Sequence, residues 1–245
     1  MNEWRHLGEQ PAHRPKQRGV PSRNRIILAV VGAIAILAGI DQMTGGGISR
    51  LGDGGAPTQQ NASYQPSTGV WQPAPGQPVP PPVDLPIENL RQETEVWCWA
   101  AVSQQIIAAS RGQQSTPAQC ALVAMANGAE PGVCCNGYNQ QCVRPGSLEQ
   151  IQGLIAQFGG RYSGFAEPTD PMTLYRTLAG GHAVILALQT GPQMNHVVVL
   201  RGMSFVQTQG GVEPVLHIND PMQVYTQPVP YRQIVQAWRR AIVVN

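Results

Sequence analysis

Cys98 stands between two tryptophans in "QETEVWCWAAVSQQIIAAS", residues Gln92 to Ser110. Behind it Ala100, Ala101, Val102, Ile106, Ile107 and Ala109 recur at three-to-four-residue spacing among Ser and Gln, with Gly112 as a stop, which predicts a helix opening at the thiol. The first turn of a helix offers unpaired N–H groups and the positive end of the backbone dipole, so an anion is favoured there and the position suits a nucleophilic thiolate. A free cysteine also serves as a small buried hydrophobe, so the decision rests on the company Cys98 keeps.

A thiolate needs a base. His6 and His13 lie in a basic tail, leaving His182, His196 and His217. "MNHVVVLRGMSF" puts His196 at the start of a β-branched run, at a strand end that can open onto a site. His182, after Gly180-Gly181 and before "HAVILAL", is a rival, whereas His217 inside "PVLHIND" sits mid-strand, the place of a hydrogen-bonded structural histidine. A third group comes from "INDPM", where a strand ends in Asn219 and Asp220 before Pro221. A carboxylate or amide there can hold the far nitrogen of an imidazole and fix its tautomer. Strand alternation sends the two to opposite faces, so only one can act. Pro221 restricts Asp220 to extended backbone, and a carboxylate supports an imidazolium more strongly than an amide, so Asp220 is the expected partner and Asn219 the alternative.

The other cysteines are Cys120, Cys134, Cys135 and Cys142. If the adjacent pair does not bridge itself, either Cys120–Cys134 with Cys135–Cys142 or Cys120–Cys135 with Cys134–Cys142 results, and both leave Cys98 free. No paired C-x-x-C spacing supports zinc, and no metal or other cofactor is expected.

Gln92 six residues before Cys98, Trp99 and Ala100 directly after it, and the chain order Cys, His, Asn or Asp together resemble the papain-like cysteine peptidases, in their compact bacterial secreted branch. The resemblance implies that Gln92 donates to an oxyanion hole, Cys98 attacks, His196 is its base and Asp220 orients the histidine; the "DP" of Asp220-Pro221 matches the bacterial branch, while plant-type members would point to Asn219. "Cys-Cys" at Cys134-Cys135 followed by Cys142 also looks like a bacterial subset. Trp97 departs from the small residues common before the cysteine, which implies a reduced or reshaped substrate cleft.

These residues need elements to position them. Helices are predicted over 99–110, over 117–126 with Thr116 as cap, over 148–158 with Ser147 and Gln150 as a capping box, and over 171–179. Strands follow at 182–188, 196–206, 212–219 and 241–244. Helices first and a sheet afterwards predict an α+β fold, in which an N-terminal helical part carrying the nucleophile packs against a C-terminal antiparallel sheet carrying the histidine.

The chain ahead of this differs in kind. Residues 1–25 carry Arg5, Arg14, Lys16, Arg18, Arg23 and Arg25 against only Glu3 and Glu9, and the uncharged run "IILAVVGAIAILAGI" fills 26–40. Fifteen apolar residues span about 22 Å as a helix, the length of a signal-peptide core, but the long basic leader and poor cleavage site favour an uncleaved anchor with the tail cytoplasmic and the rest outside. Residues 41–82, rich in Gly, Pro and Gln, read as a linker, and 83–245 as the peptidase domain. That domain holds nine Arg against ten Asp and Glu, a net charge of −1 with no basic stripe, so nucleic acid is not an expected partner. A monomer acting on protein or peptide substrates is expected. A transglutaminase-like acyl transferase, a cell-wall amidase and a non-catalytic module on a membrane tether are the competing readings.

Overall fold

The computed structural model describes residues 62–66, 68–137, 139–192 and 195–245. The basic tail 1–25, the apolar segment 26–40 and the linker up to residue 61 lie outside the described residues.

Two short strands come first, β1 (Ser63–Gln65) and β2 (Val70–Gln72), then β3 (Val83–Asp84). The helical part follows as α1 (Cys98–Arg111), α2 (Gln119–Ala126) and α3 (Leu148–Leu154), with a π-helical turn, Ile155–Gly159, continuing α3. After β4 (Ser163–Ala166) and α4 (Pro171–Ala179) come β5 (Ala183–Gln189), β6 (Asn195–Thr208), β7 (Gly211–Asn219), β8 (Val229–Pro230), α5 (Tyr231–Val235) and β9 (Trp238–Val244). The architecture is α+β: helices packed on an antiparallel sheet of order β1-β2-β7-β6-β5-β9-β4, with β3 paired to β6 and β8 to β7.

Local chemistry explains most of these bounds. The Ser147 hydroxyl accepts the Gln150 N–H while the Gln150 side chain accepts the Ser147 N–H, a reciprocal capping box that starts α3. Asp170 accepts the N–H groups of Met172 and Thr173, and Pro171 fills the first helical position, so α4 starts sharply. Thr116 does not cap α2. Its hydroxyl donates back to the Gly112 carbonyl, and the helix begins later, after Ala118, without a side-chain cap.

Successive residues of β6 feed two cores. Val197 and Val199 join Ile185, Ile242 and the apolar stripe of α1, including Val102 and Ile106. Val198 and Leu200 join Leu186, Leu216 and Trp238 under Leu174 and Leu178 of α4. A sheet covered on both faces explains why "VVVL" reads as a continuous apolar run rather than an alternation. Truncating a fully buried member such as Ile185 to Ala costs about 2–5 kcal/mol.

The sheet starts earlier in the chain than the linker reading placed it. β1 pairs with β2, and Trp71 of β2 lies opposite Val212 of β7 with only 1% of its surface exposed. Val70 and Trp71 supply the apolar area that the surrounding Pro and Gly cannot, so residues 62–66 and 68–82 fold in the same unit as the helices and the long strands. β3 meets β6 at Gly202, where a side-chain carbon would run into the Val83 carbonyl.

Two disulfides staple the helical part, Cys120–Cys135 and Cys134–Cys142, and Cys98 is free. Bridges of this kind persist in an oxidising compartment. Among the described residues no helix is long and apolar enough to cross a membrane.

Candidate active site

Cys98 is the first residue of α1 and is half-buried. The tryptophans on either side hold it in place. Trp97 Nε1 donates to the Cys142 carbonyl at 2.8 Å and Trp99 Nε1 to the Arg144 carbonyl at 3.3 Å, so the flanks of the thiol are tied to the end of the loop that the Cys134–Cys142 bridge closes and to the segment just after it. Trp99 also lies so close against Gly146 that a side chain there would collide with the indole.

His196 enters from the start of β6. Its Nε2 lies 2.6 Å from Asp220 Oδ1, with the imidazole 5% and the aspartate 0% exposed. The same carboxylate is saturated from the backbone: Oδ1 accepts the Met222 N–H at 2.9 Å, and Oδ2 accepts those of Val224 and Tyr225 at 2.8 and 3.0 Å. The turn that brings these donors round includes Gln223 at φ 59°, a left-handed conformation that is costly for a residue with a side chain. Burial alone would raise the Asp220 pKa, but the bonds from His196 and the Tyr225 and Met222 N–H groups outweigh it and hold the carboxyl below its ordinary value. Burial would likewise lower His196, yet the hydrogen bond to Asp220, with further contributions from the Cys98 side chain and the Asp220 charge, raises the imidazole to about 9.

With Nε2 committed to Asp220, Nδ1 is the ring nitrogen left for Cys98. It is buried and has no partner that satisfies hydrogen-bond geometry, although the thiol is near enough to contribute to the imidazole's raised pKa.

Asn219 faces other partners. Its amide donates to the Ile87 carbonyl at 2.8 Å and its oxygen accepts Arg201 Nε at 3.0 Å, so it pins the chain ahead of α1 to the sheet. The structure therefore joins His196 to Asp220 and not to Asn219. His182 lies at the far end of β5: the residue opposite His196 is Leu188, six positions on, which is about 20 Å of strand. His217 shares a 3.0 Å hydrogen bond with the Ser204 hydroxyl, within the sheet.

Gln92 is half-buried just before α1. Its backbone N–H donates to the Pro221 carbonyl at 3.1 Å, and its side-chain Nε2 donates to the Thr94 carbonyl at 2.7 Å, while Oε1 is buried without a partner. An amide nitrogen carries two protons, so one donor remains after the Thr94 bond.

Several residues that build this seam escaped the sequence reading. Gln105 donates to the Asn89 side chain and the Leu90 carbonyl, Gln119 donates to the Arg91 carbonyl and accepts the Glu93 N–H, and Asn89 donates to the Asp220 carbonyl. Together they fix residues 89–93 between the helices and the Asp220 turn. The available signal was polar side chains inside buried stripes: Gln105 and Gln119 are 1% and 2% exposed. Among the described residues no cluster of His, Cys, Asp and Glu could hold a metal ion.

No protein-family model matches the chain, and no curated protein matches it. Among solved structures it is similar to a C39-like peptidase from Bacillus anthracis, with a TM-score of 0.42 and 14% identity over 68% of this chain and 98% of that one. It is also similar to UfSP from C. elegans, with a TM-score of 0.42 and 12% identity over 76% of this chain and 37% of that one.

Proposed function

We propose that the chain is a papain-like thiol hydrolase that cleaves peptide or amide bonds. The observation that carries this reading is the buried His196–Asp220 pair, whose remaining imidazole nitrogen is left to a free cysteine at the start of a helix. In this reading His196 Nδ1 holds the proton that Cys98 has given up, the Sγ attacks the scissile carbonyl as a thiolate, and the C–S bond forms as the carbonyl π-electrons move to oxygen. The Cys98 backbone N–H and the spare Gln92 amide proton stabilise that oxyanion. His196 then gives its proton to the leaving amine, the C–N bond breaks, and water releases the acyl group from sulfur. An imidazole that keeps its proton up to about pH 9 is well placed for the donation and as counter-ion to a thiolate. Asp220 positions the ring and supports its charge.

The substrate class in this reading is a protein or peptide, handled by a monomer outside the cytoplasm. The two disulfides support the compartment, and residues 26–40 are the proposed anchor. The test is labelling with a thiol-directed epoxide, followed by mass spectrometry of the adduct and hydrolysis assays. Rapid modification of Cys98, lost in His196→Ala, is expected. Undiminished hydrolysis by Cys98→Ala would reject the mechanism, and a product that requires an added amine would make the enzyme an acyl transferase.

A further inference from the structure

Gln92, the donor proposed for the oxyanion, sits in a stretch that packing does little to hold. From Arg91 to Glu95 no residue is buried, and none belongs to a helix or a strand. What fixes the backbone there is hydrogen bonding.

Three of those bonds act on the two peptide groups that flank the Gln92 Cα. The group before it, made of the Arg91 carbonyl and the Gln92 N–H, is held at both edges: the Gln119 side-chain Nε2 donates to the carbonyl at 2.8 Å, and the N–H donates to the Pro221 carbonyl at 3.1 Å. The group after it carries the Glu93 N–H, which Gln119 Oε1 accepts at 3.0 Å. Peptide groups are planar, so the freedom between these two is the φ and ψ of Gln92. One amide that grips both planes sets those angles, and with them the direction of the Cα–Cβ bond. The Pro221 carbonyl ties the same backbone to the turn after β7, which also carries Asp220.

Gln119 opens α2, yet its side chain serves none of that helix's own N–H groups. The start of α2 has no side-chain cap. The residue is 2% exposed, and besides the two bonds to the Gln92 segment its Nε2 donates to Gln104 Oε1 at 3.1 Å. Gln104 Nε2 donates to the Pro117 carbonyl at 3.0 Å, so its oxygen is the atom that faces Gln119, and the Gln119 amide lies only one way round. The next residue is tied down as well, because Cys120 is bridged to Cys135. A buried amide with both protons and its oxygen engaged is a rigid support.

From this double grip we infer that Gln119 is a positioning residue for hydrolysis: it orients the Gln92 side chain toward the oxyanion through the peptide groups on either side of it, without touching the substrate. The inference rests on the oxyanion role given to Gln92 above and adds the residue that sets it.

The test is a double-mutant cycle between Gln119→Met and Gln92→Ala, read as kcat and KM on a peptide amide and as the rate of Cys98 alkylation by iodoacetamide. Alkylation forms a C–S bond as the C–I bond breaks and develops no oxyanion, so it reports the thiolate and its imidazole alone. Gln119→Met is expected to lower kcat about tenfold to 10²-fold, less than outright removal of an oxyanion donor, with KM within about threefold and alkylation within about twofold of the parent. With Gln92→Ala already present, the same substitution should change kcat by less than about twofold, since the group it positions is gone. Gln119→Glu keeps the shape and the acceptor for Glu93 but loses the donor to Arg91. It should lower kcat in the same Gln92-dependent way, and it decides the matter if Gln119→Met does not fold. Equal losses with and without Gln92, or a parallel loss in alkylation, would make Gln119 a structural residue and overturn the inference. Parental kcat in Gln119→Met beside a slow Gln92→Ala would overturn it too and leave the oxyanion role standing. Parental kcat in Gln92→Ala would remove that role and the inference with it, while hydrolysis that still requires Cys98 would keep the thiol hydrolase reading.

Discussion

Two histidine–carboxylate pairs lie in the same sheet, and they are built differently. At the end of β6 and β7, His196 meets Asp220 at 2.6 Å, and the carboxylate is fully buried under three backbone N–H groups. Further along the sheet, His217 Nδ1 of β7 stands 3.8 Å from Asp84 of β3, whose side chain is 46% exposed and already bonded to Arg201. Residue types are the same in both places. The backbone turn after β7 makes the difference: it supplies directed donors in a site closed to water, where a charge–charge contact is far stronger than on the surface. At Asp84 water screens the contact and a guanidinium competes for the carboxylate.

The sharpest way to break the comparison is to remove members of the buried site. Cys98→Ala and His196→Ala are each expected to lower kcat/KM by at least about 10³-fold, measured on a peptide substrate with folding checked by circular dichroism. Next comes the orienting residue. Asp220→Ala should cost about 10²- to 10⁴-fold in kcat, along with about 3–5 kcal/mol of stability in denaturant titration, because it leaves a buried imidazolium unpaired. Asn219→Ala should cost stability of about 1–3 kcal/mol, through the lost bonds to Ile87 and Arg201, with kcat within about tenfold of the parent. A larger kcat loss from Asn219→Ala would reverse the roles given to the two residues.

A pH series sharpens the contrast further. The His196 pKa is raised from 6.5 to about 9, so its contribution to stability is complete below pH 6.5 and disappears as the pH climbs through about 9. Asp220 is lowered, so its contribution is complete above its ordinary value of 3.8 and is lost as the pH falls through the folded value. Between these limits the pair should contribute a plateau, and His196→Gln should flatten the alkaline decline in a series of thermal melts. A decline of equal steepness in the variant would show that other groups cause it. The smallest effect is expected at the other pair: His217→Ala loses the bond to Ser204, about 0.5–1.5 kcal/mol, and leaves kcat unchanged.

How much of this could be read from the chain varies with the range of the interactions. α1 and α4 follow from spacing, a proline at the first helical position and an acidic cap, all contained in about ten residues. The long strands β5, β6 and β7 announce themselves by β-branched runs. The short strands do not: Ser63–Gln65 and Val70–Gln72 sit among Gly and Pro and exist because β7 offers them an edge. Ser163–Ala166, with a glycine inside it, exists because it pairs with β9. Thr116 reads as a cap, yet a carbonyl four residues back is a nearer partner for its hydroxyl.

The same division runs through the site. The sequence alone determined that a cysteine opens a helix, that a histidine begins a strand, and that a polar pair closes another, because those are local consequences of propensity and periodicity. It left two disulfide pairings open, since adjacent cysteines are equivalent along the chain, and only the packing of the loop after α2 chose Cys120–Cys135 with Cys134–Cys142. Tertiary structure alone decided that His196, and neither His182 nor His217, reaches Asp220. It alone decided that the two tryptophan indoles anchor the thiol to the Cys142 and Arg144 carbonyls. The physical reason is distance along the chain. Asp220 lies 24 residues from His196, and Trp97 lies 45 from Cys142, so what brings them together is the register of the sheet and the burial of the two cores, not any local preference of the residues themselves.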